Sequence, residues 1–247
     1  MEKPFDTIVA TKDVSLFVFG DHASKHIPED LNNLGLSGDD LTRHIAWDIG
    51  TEVIVRHLCE HFGCAGQVAG QSRLVIDLNR DTEMPSSIPV ESDGTKIPGN
   101  IGLTDQQRQD RIDKYHTPYH AALSDSLAAY EDPLVISMHS FTPKPHLGDY
   151  RLVDIGLLVK HDEPSAKALE EMFMRLGQHF TIGINEPYSA HVLNYTIDTV
   201  IAARGLRHLA IEINQRHIDT DAKALDIAKT LADRLEPIVY KTFKSMY

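Results

Sequence analysis

The 247-residue chain is poor in cysteine, with only two, and has a single tryptophan. Cys59 and Cys64 are too few for a disulfide framework or an all-cysteine zinc site, so a reducing, cytoplasmic setting is expected. No stretch approaches the ~20 consecutive apolar residues of a membrane helix. The opening MEKPFDTIVATKD lacks the basic segment and apolar run of a signal peptide. Basic residues are also scarce: 24 Lys and Arg against 36 Asp and Glu give a formal net charge of −12 at pH 7, the wrong sign for a protein that grips phosphates. Nucleic-acid and membrane partners are therefore not expected. Hydrophobic residues make up 42%, enough for a packed core and too many for a disordered chain. Histidine is plentiful, with 14 residues, which leaves room for an imidazole-based site.

Periodicity predicts an α/β protein. VSLFVFG (14–20), AGQVA (65–69), RLVIDL (73–78), PLVISMHSF (133–141), DIGLLVK (154–160) and HLAIEIN (208–214) read as strands. Leu41, Ile45, Ile49 and Val53, spaced four apart, predict a helix from Asp39 to His61, capped by Ser37 or Asp39 and closed by Gly63. A polar helix follows Thr104 to about Tyr130, and further helices are expected at 164–177, roughly 191–204 and 220–244. The alternation argues for one domain over 1–247, a mixed, mostly parallel sheet flanked by helices. Residues 81–103, rich in Pro, Ser, Gly and Asp, read as a long loop that walls or covers a site, or as a set of static turns.

In such sheets ligands bind at the carboxyl ends of strands. The strands deliver His22, then Asn79 and Arg80, then His139, with Glu212 near the end of the last. A catalytic zinc takes about three His, Asp or Glu ligands and leaves one position for water. Two strand-end histidines would supply two ligands, one carboxylate the third, and another carboxylate the base. In HLAIEIN, Leu209, Ile211 and Ile213 share one face and Ala210, Glu212 and Asn214 the other, so on a central strand Glu212 is a buried carboxylate in need of a partner. His44 and Asp48, four apart on the expected helix, share a face and are suited either to a site or to a surface pair. Arg80 is equally a partner for Asp77 or Asp81, and Arg73 competes with it for any anion.

The strings DHASKHIP (21–28), HIAWDIG (44–50), SRLVIDLNR (72–80), SDGTKIPGN (92–100), VISMHSFTP (135–143), NEPY (185–188) and IEINQ (211–215) resemble, in order, the N-formylglutamate amidohydrolase family. That family is similar in fold to the zinc carboxypeptidases, a phosphorylase/hydrolase-like α/β architecture. The resemblance implies a zinc-dependent amidohydrolase releasing formate from N-formyl-L-glutamate, or acting on a related N-acyl amino acid or small peptide. It implies His22 and His139 as zinc ligands, Glu212 as general base, and Asn79 and Arg80 as holders of a substrate carboxylate. Zinc carboxypeptidases carry a Glu three residues after their first His, and here that residue is Lys25. The third ligand is assigned to Asp48, with Asp21 and Glu29 as alternatives. A substrate with two carboxylates calls for a second basic group, for which Arg151 and Arg73 are the candidates. The competing reading is a non-catalytic carboxylate-binding protein on the same fold, which would have no use for a base at position 212.

Overall fold

The computed structural model describes residues 3–175, 180–191 and 194–240. Its centre is a seven-stranded sheet. The strands are β1 (Phe5–Ile8), β2 (Leu16–Gly20), β3 (Ala65–Ala69), β6 (Leu134–Phe141), β7 (Ile155–Leu158), β8 (Ile182–Ile184) and β9 (Arg207–Asn214), arranged β1-β3-β2-β6-β9-β7-β8. A separate two-stranded hairpin joins β4 (Glu91–Ser92) to β5 (Thr95–Lys96). β3, β2, β6 and β9 run parallel, while β1 pairs antiparallel with β3 and β7 with β9. The sheet is thus mixed and mostly parallel, as the alternation of patterns predicts. β1 and β8 are short strands at the two edges, outside the apolar runs that mark the centre.

The two faces have separate cores. Leu16, Val18, Ile136, Met138, Leu209, Ile211 and Ile213 pack under α1 (Thr51–Phe62), α4 (Glu163–Arg175) and α5 (Asp221–Tyr240). Phe17, Phe19, Val135 and Ala210 face α3 (Thr117–Leu127) and the turn at Ile197–Ile201. The expected alternation on β9 is therefore observed, and Glu212 sits on a central strand, opposite the larger core. Parts of the expected helices at 164–177, 191–204 and 220–244, namely 176–177, 192–193 and 241–244, lie outside the described residues.

Two expectations are corrected. The helix predicted over 39–61 begins only at Thr51; residues 38–41 form a single 3₁₀ turn, and the chain between is irregular. Gly50 interrupts it, with φ +81, where a Cβ would come within 2.6 Å of the Ile218 carbonyl. The apolar spacing misled because Leu41 and Ile45 belong to one core and Val53 packs against another. His44 and Asp48 accordingly do not share a helix face. The strand predicted at 73–78 is a run of turns. Its apolar side chains Leu74, Val75, Ile76 and Leu78 build a third core beyond the β1 edge, but its backbone finds side-chain and loop partners. Asn100 Nδ2 donates to the Leu74 carbonyl (2.8 Å), Arg111 to that of Val75 (2.9 Å), and the Asp77 amide to Ser87 (2.7 Å).

Thr104 caps α2 (Asp105–Arg111) through a capping box with Gln107, as expected, and α2 continues into α3 through a π-helical turn at Ile112–His116. The 81–103 segment is a structured wall. Asp93 at the hairpin tip accepts the amides of His146 (2.8 Å) and Leu147 (2.9 Å) and pairs with His44 (3.1 Å).

Gly156 on β7 sets the position of the loop after β8. A Cβ there would collide with the Glu186 carbonyl oxygen and approach the Glu212 Cβ to 3.2 Å. Overpacking of this kind costs about 1–3 kcal/mol, and a chain of this size loses about 2–4 °C of Tm per kcal/mol, so Gly156→Ala should lower Tm by about 2–12 °C. An unchanged Tm in a thermal melt would show that the loop yields freely.

Candidate active site

The carboxyl ends of β2, β6 and β9 open into a cavity of about 510 Å³. His22 lies just beyond β2, and His139 and Glu212 are register partners on β6 and β9. Asp48 arrives from the irregular stretch before α1, its amide bonded to the His22 carbonyl (2.8 Å). All four side chains are buried. Asp48 Oδ2 lies 2.9 Å from His139 Nδ1 and 3.4 Å from His22 Nδ1, and ligand atoms of His22, Asp48 and His139 lie within 4.8 Å of one another.

The remaining imidazole nitrogens face away and are engaged. His22 Nε2 donates to Asp77 Oδ1 (2.7 Å), and His139 Nε2 lies 2.9 Å from Ser137 Oγ. The bond to the Asp77 carboxylate fixes the His22 tautomer with its Nδ1 lone pair turned inward, and the Ser137 hydroxyl holds the His139 ring with its Nδ1 toward Asp48; outward bonds of this kind are typical of metal-binding histidines. His22 Nδ1 is buried without a hydrogen-bond partner, and so is Glu212 Oε2. An inward imidazole lone pair facing a carboxylate oxygen needs a cation between them, either a proton or a metal. The residues present therefore fit a divalent ion.

Charge points the same way. Asp48, Asp77 and Glu212 are opposed by the committed guanidinium of Arg73, which donates to Asp48 Oδ1 (3.1 Å) and Asp77 Oδ2 (2.7 Å). With neutral imidazoles this leaves two negative charges that a divalent cation would cancel. Burial disfavours charge on Asp77, but Arg73 and His22 outweigh it and hold the carboxyl well below the usual range. Burial likewise opposes ionisation of Asp48, and His22 and His139 override it. For His22, burial and Arg73 push the pKa down, yet Asp77 and Asp48 raise it to about 9. Glu212 is pushed up to about 7, chiefly by burial, with Asp48 adding to the rise and His139 opposing it.

The other predicted residues line the same cavity. Arg80 Nη1 donates to the Asn79 carbonyl (3.0 Å), and Asn79 Oδ1 accepts the Thr196 amide (3.0 Å). Arg151 stacks over Tyr188 (4.7 Å) and Phe141 (5.9 Å). Among the described residues neither Arg80 nor Arg151 forms an ion pair, and Asp77 pairs with Arg73 instead of Arg80. Of the alternatives to Asp48, Glu29 is exposed and Asp21, though buried, is not in the cluster.

Asp77 and Tyr188 received no site role from sequence. The signal for Asp77 was its i, i+4 spacing from Arg73. Tyr188 lies in NEPY, where Asn185, at φ +54, clamps the loop by accepting the Val159 and Ala190 amides (3.0 and 3.2 Å). Burial, with Glu212 nearby, raises the Tyr188 phenol's pKa.

An α/β sheet with a cation-ready His–Asp–His cluster, a buried carboxylate beside it and two unpaired guanidiniums over one cavity is the grouping of a hydrolase. The family model for N-formylglutamate amidohydrolase matches residues 14–218, and the chain belongs to that family, a class of hydrolases acting on amides. The gene product Atu2144 from Agrobacterium tumefaciens is similar at 33% identity and TM-score 0.89, with 96% of each chain covered. An N-formylglutamate amidohydrolase from Ralstonia eutropha JMP134 shares the fold at 18% identity and TM-score 0.60, over 96% of this chain and 98% of that one. No curated protein sequence matches the chain. Among the described residues no helix is long and apolar enough to cross a membrane.

Two outcomes are expected for the cluster. Metal content of purified protein should collapse in His22→Ala, His139→Ala and Asp48→Ala, whereas Asp77→Asn should weaken affinity about 10–100-fold. Retained metal in the first three would misplace the site. Because His22 binds a proton below about pH 9 without metal, uptake should release protons and apparent affinity should climb with pH through that range. A pH-independent affinity would contradict the arrangement.

Proposed function

We propose that the protein is a zinc-dependent amidohydrolase that cleaves N-formyl-L-glutamate to formate and glutamate. The observation that carries this reading is the pair of guanidiniums, Arg80 and Arg151, lining the cavity that also holds His22, Asp48, His139 and Glu212. A substrate with two carboxylates matches two such groups. Arginine binds a carboxylate through two parallel hydrogen bonds, which lysine cannot copy. Arg80, with Asn79, takes one carboxylate; Arg151, oriented by its stack on Tyr188, takes the other. Arg73, the other candidate for that role, is occupied by Asp48 and Asp77 and serves to hold them.

Zinc held by His22, Asp48 and His139 would polarise the formyl carbonyl and acidify the attacking water. Glu212 takes a proton from that water and passes it to the leaving nitrogen as the C–N bond breaks. Its raised pKa suits a group that must both accept and release a proton near neutrality. Asp77 and Ser137 keep the two imidazoles turned inward, so the site is arranged before substrate arrives. The family membership supports the amide as the bond cleaved.

The test is formate release from N-formyl-L-glutamate, lost on chelation and restored by zinc. Glu212→Gln should lower kcat by about 10²–10⁴-fold with metal content unchanged. A loss under about tenfold, ~1.4 kcal/mol of barrier, would place the base elsewhere. Arg80→Lys should raise KM with metal retained. Equal turnover of N-formyl substrates that lack a side-chain carboxylate would remove the dicarboxylate reading.

A further inference from the structure

The segment carrying Asn79 and Arg80 has no strand partner, so something else must fix it. Two helices hydrogen-bond to it. In one, the π-helical turn Ile112–His116 ends on His116; in the other, a second π-helical turn, Ile197–Ile201, directly follows Thr196. Such turns insert an extra residue into a helix and occur frequently at functional sites. Here both deliver side chains to residues 78–80. His116 Nε2 donates to the Arg80 carbonyl (3.0 Å). The Thr196 amide donates to Asn79 Oδ1 (3.0 Å) and its hydroxyl lies 3.3 Å from the Leu78 carbonyl. His120 links the two helices: its Nδ1 donates to the His116 carbonyl (2.9 Å), its Nε2 lies 3.3 Å from Thr196 Oγ1, and its ring centroid is 4.2 Å from that of His116.

We propose that His116, backed by His120 and Thr196, is the positioning group that sets Asn79 and Arg80 for the substrate carboxylate. The inference rests on the reading of Arg80 given above. None of the three lines the cavity, so they act through the 78–80 backbone. Arg80 folds back onto the Asn79 carbonyl, so the guanidinium follows wherever that backbone goes. A carboxylate clamp requires placement within about 0.5 Å, and a turn without strand partners does not supply it alone. Burial, reinforced by His120, holds the His116 pKa down at about 4, which keeps the ring neutral with its Nε2 proton directed at Arg80.

The experiment compares His116→Ala, His116→Gln, Thr196→Val and Arg80→Ala. It reads KM, kcat and zinc content, and the Kd of N-formyl-L-glutamate by calorimetry in a Glu212→Gln background. His116→Ala should raise Kd and KM about tenfold, the cost of one buried hydrogen bond, with kcat and zinc content near wild type. His116→Gln, whose amide reaches the same carbonyl, should recover most of the affinity, and Thr196→Val should weaken binding in the same direction. In an Arg80→Ala background, His116→Ala should add little. If Arg80→Ala weakens binding while His116→Ala and Thr196→Val do not, the positioning role is overturned and the reading of Arg80 stands. If Arg80→Ala itself leaves Kd unchanged, both fall. A His116→Gln variant as weak as His116→Ala also overturns the proposal, since the donor would then not be what matters.

Discussion

The Asp48 carboxylate is the constraint on which the site depends. It is buried where β2, β6 and the start of α1 meet. It faces the Nδ1 atoms of His22 and His139, takes Arg73 on its other oxygen, and lies 3.3 Å from the Ser140 amide. A charge buried so completely costs several kcal/mol unless it is paired. Every element around it supplies part of that pairing. The surplus negative charge that remains is what makes the cluster a place for a cation.

Asp48 also explains why the backbone there is irregular. Had the helix begun at Asp39, Asp48 would sit mid-helix, its amide bonded within the helix instead of to the His22 carbonyl. Gly50, in the left-handed region against Ile218, starts α1 late and leaves Asp48 free to turn under the sheet edge. The 73–78 segment follows the same logic: by leaving the sheet it brings Arg73 and Asp77 to the His22–Asp48–His139 cluster and Arg80 to the cavity. Regular strands supply fixed positions for His139 and Glu212, and irregular segments supply the groups that reach across to them.

That division governs what could be read from sequence. The central strands, the burial of Glu212, the Thr104 cap and the convergence of His22, His139 and Glu212 were legible because period-2 patterns and strand ends report directly on position. Asp48 was reachable by its motif, although the helix expected to carry it was wrong. The strand reading of RLVIDL failed because an apolar run reports burial, not hydrogen-bond partners, and those partners are Asn100, Arg111 and Ser87, 10–36 residues away in sequence. Tyr188 was not legible as a site residue, since its place depends on the close approach of Glu186 to Gly156, a tertiary contact without a local pattern.

The most direct test of this account is a zinc-edge anomalous difference map from crystals of the metal-loaded protein. The account predicts one peak per chain, bounded by His22 Nδ1, His139 Nδ1 and an Asp48 oxygen, with Glu212 beside it and outside the ligand set. A peak elsewhere, or one ligated by Glu212 in place of Asp48, would contradict it.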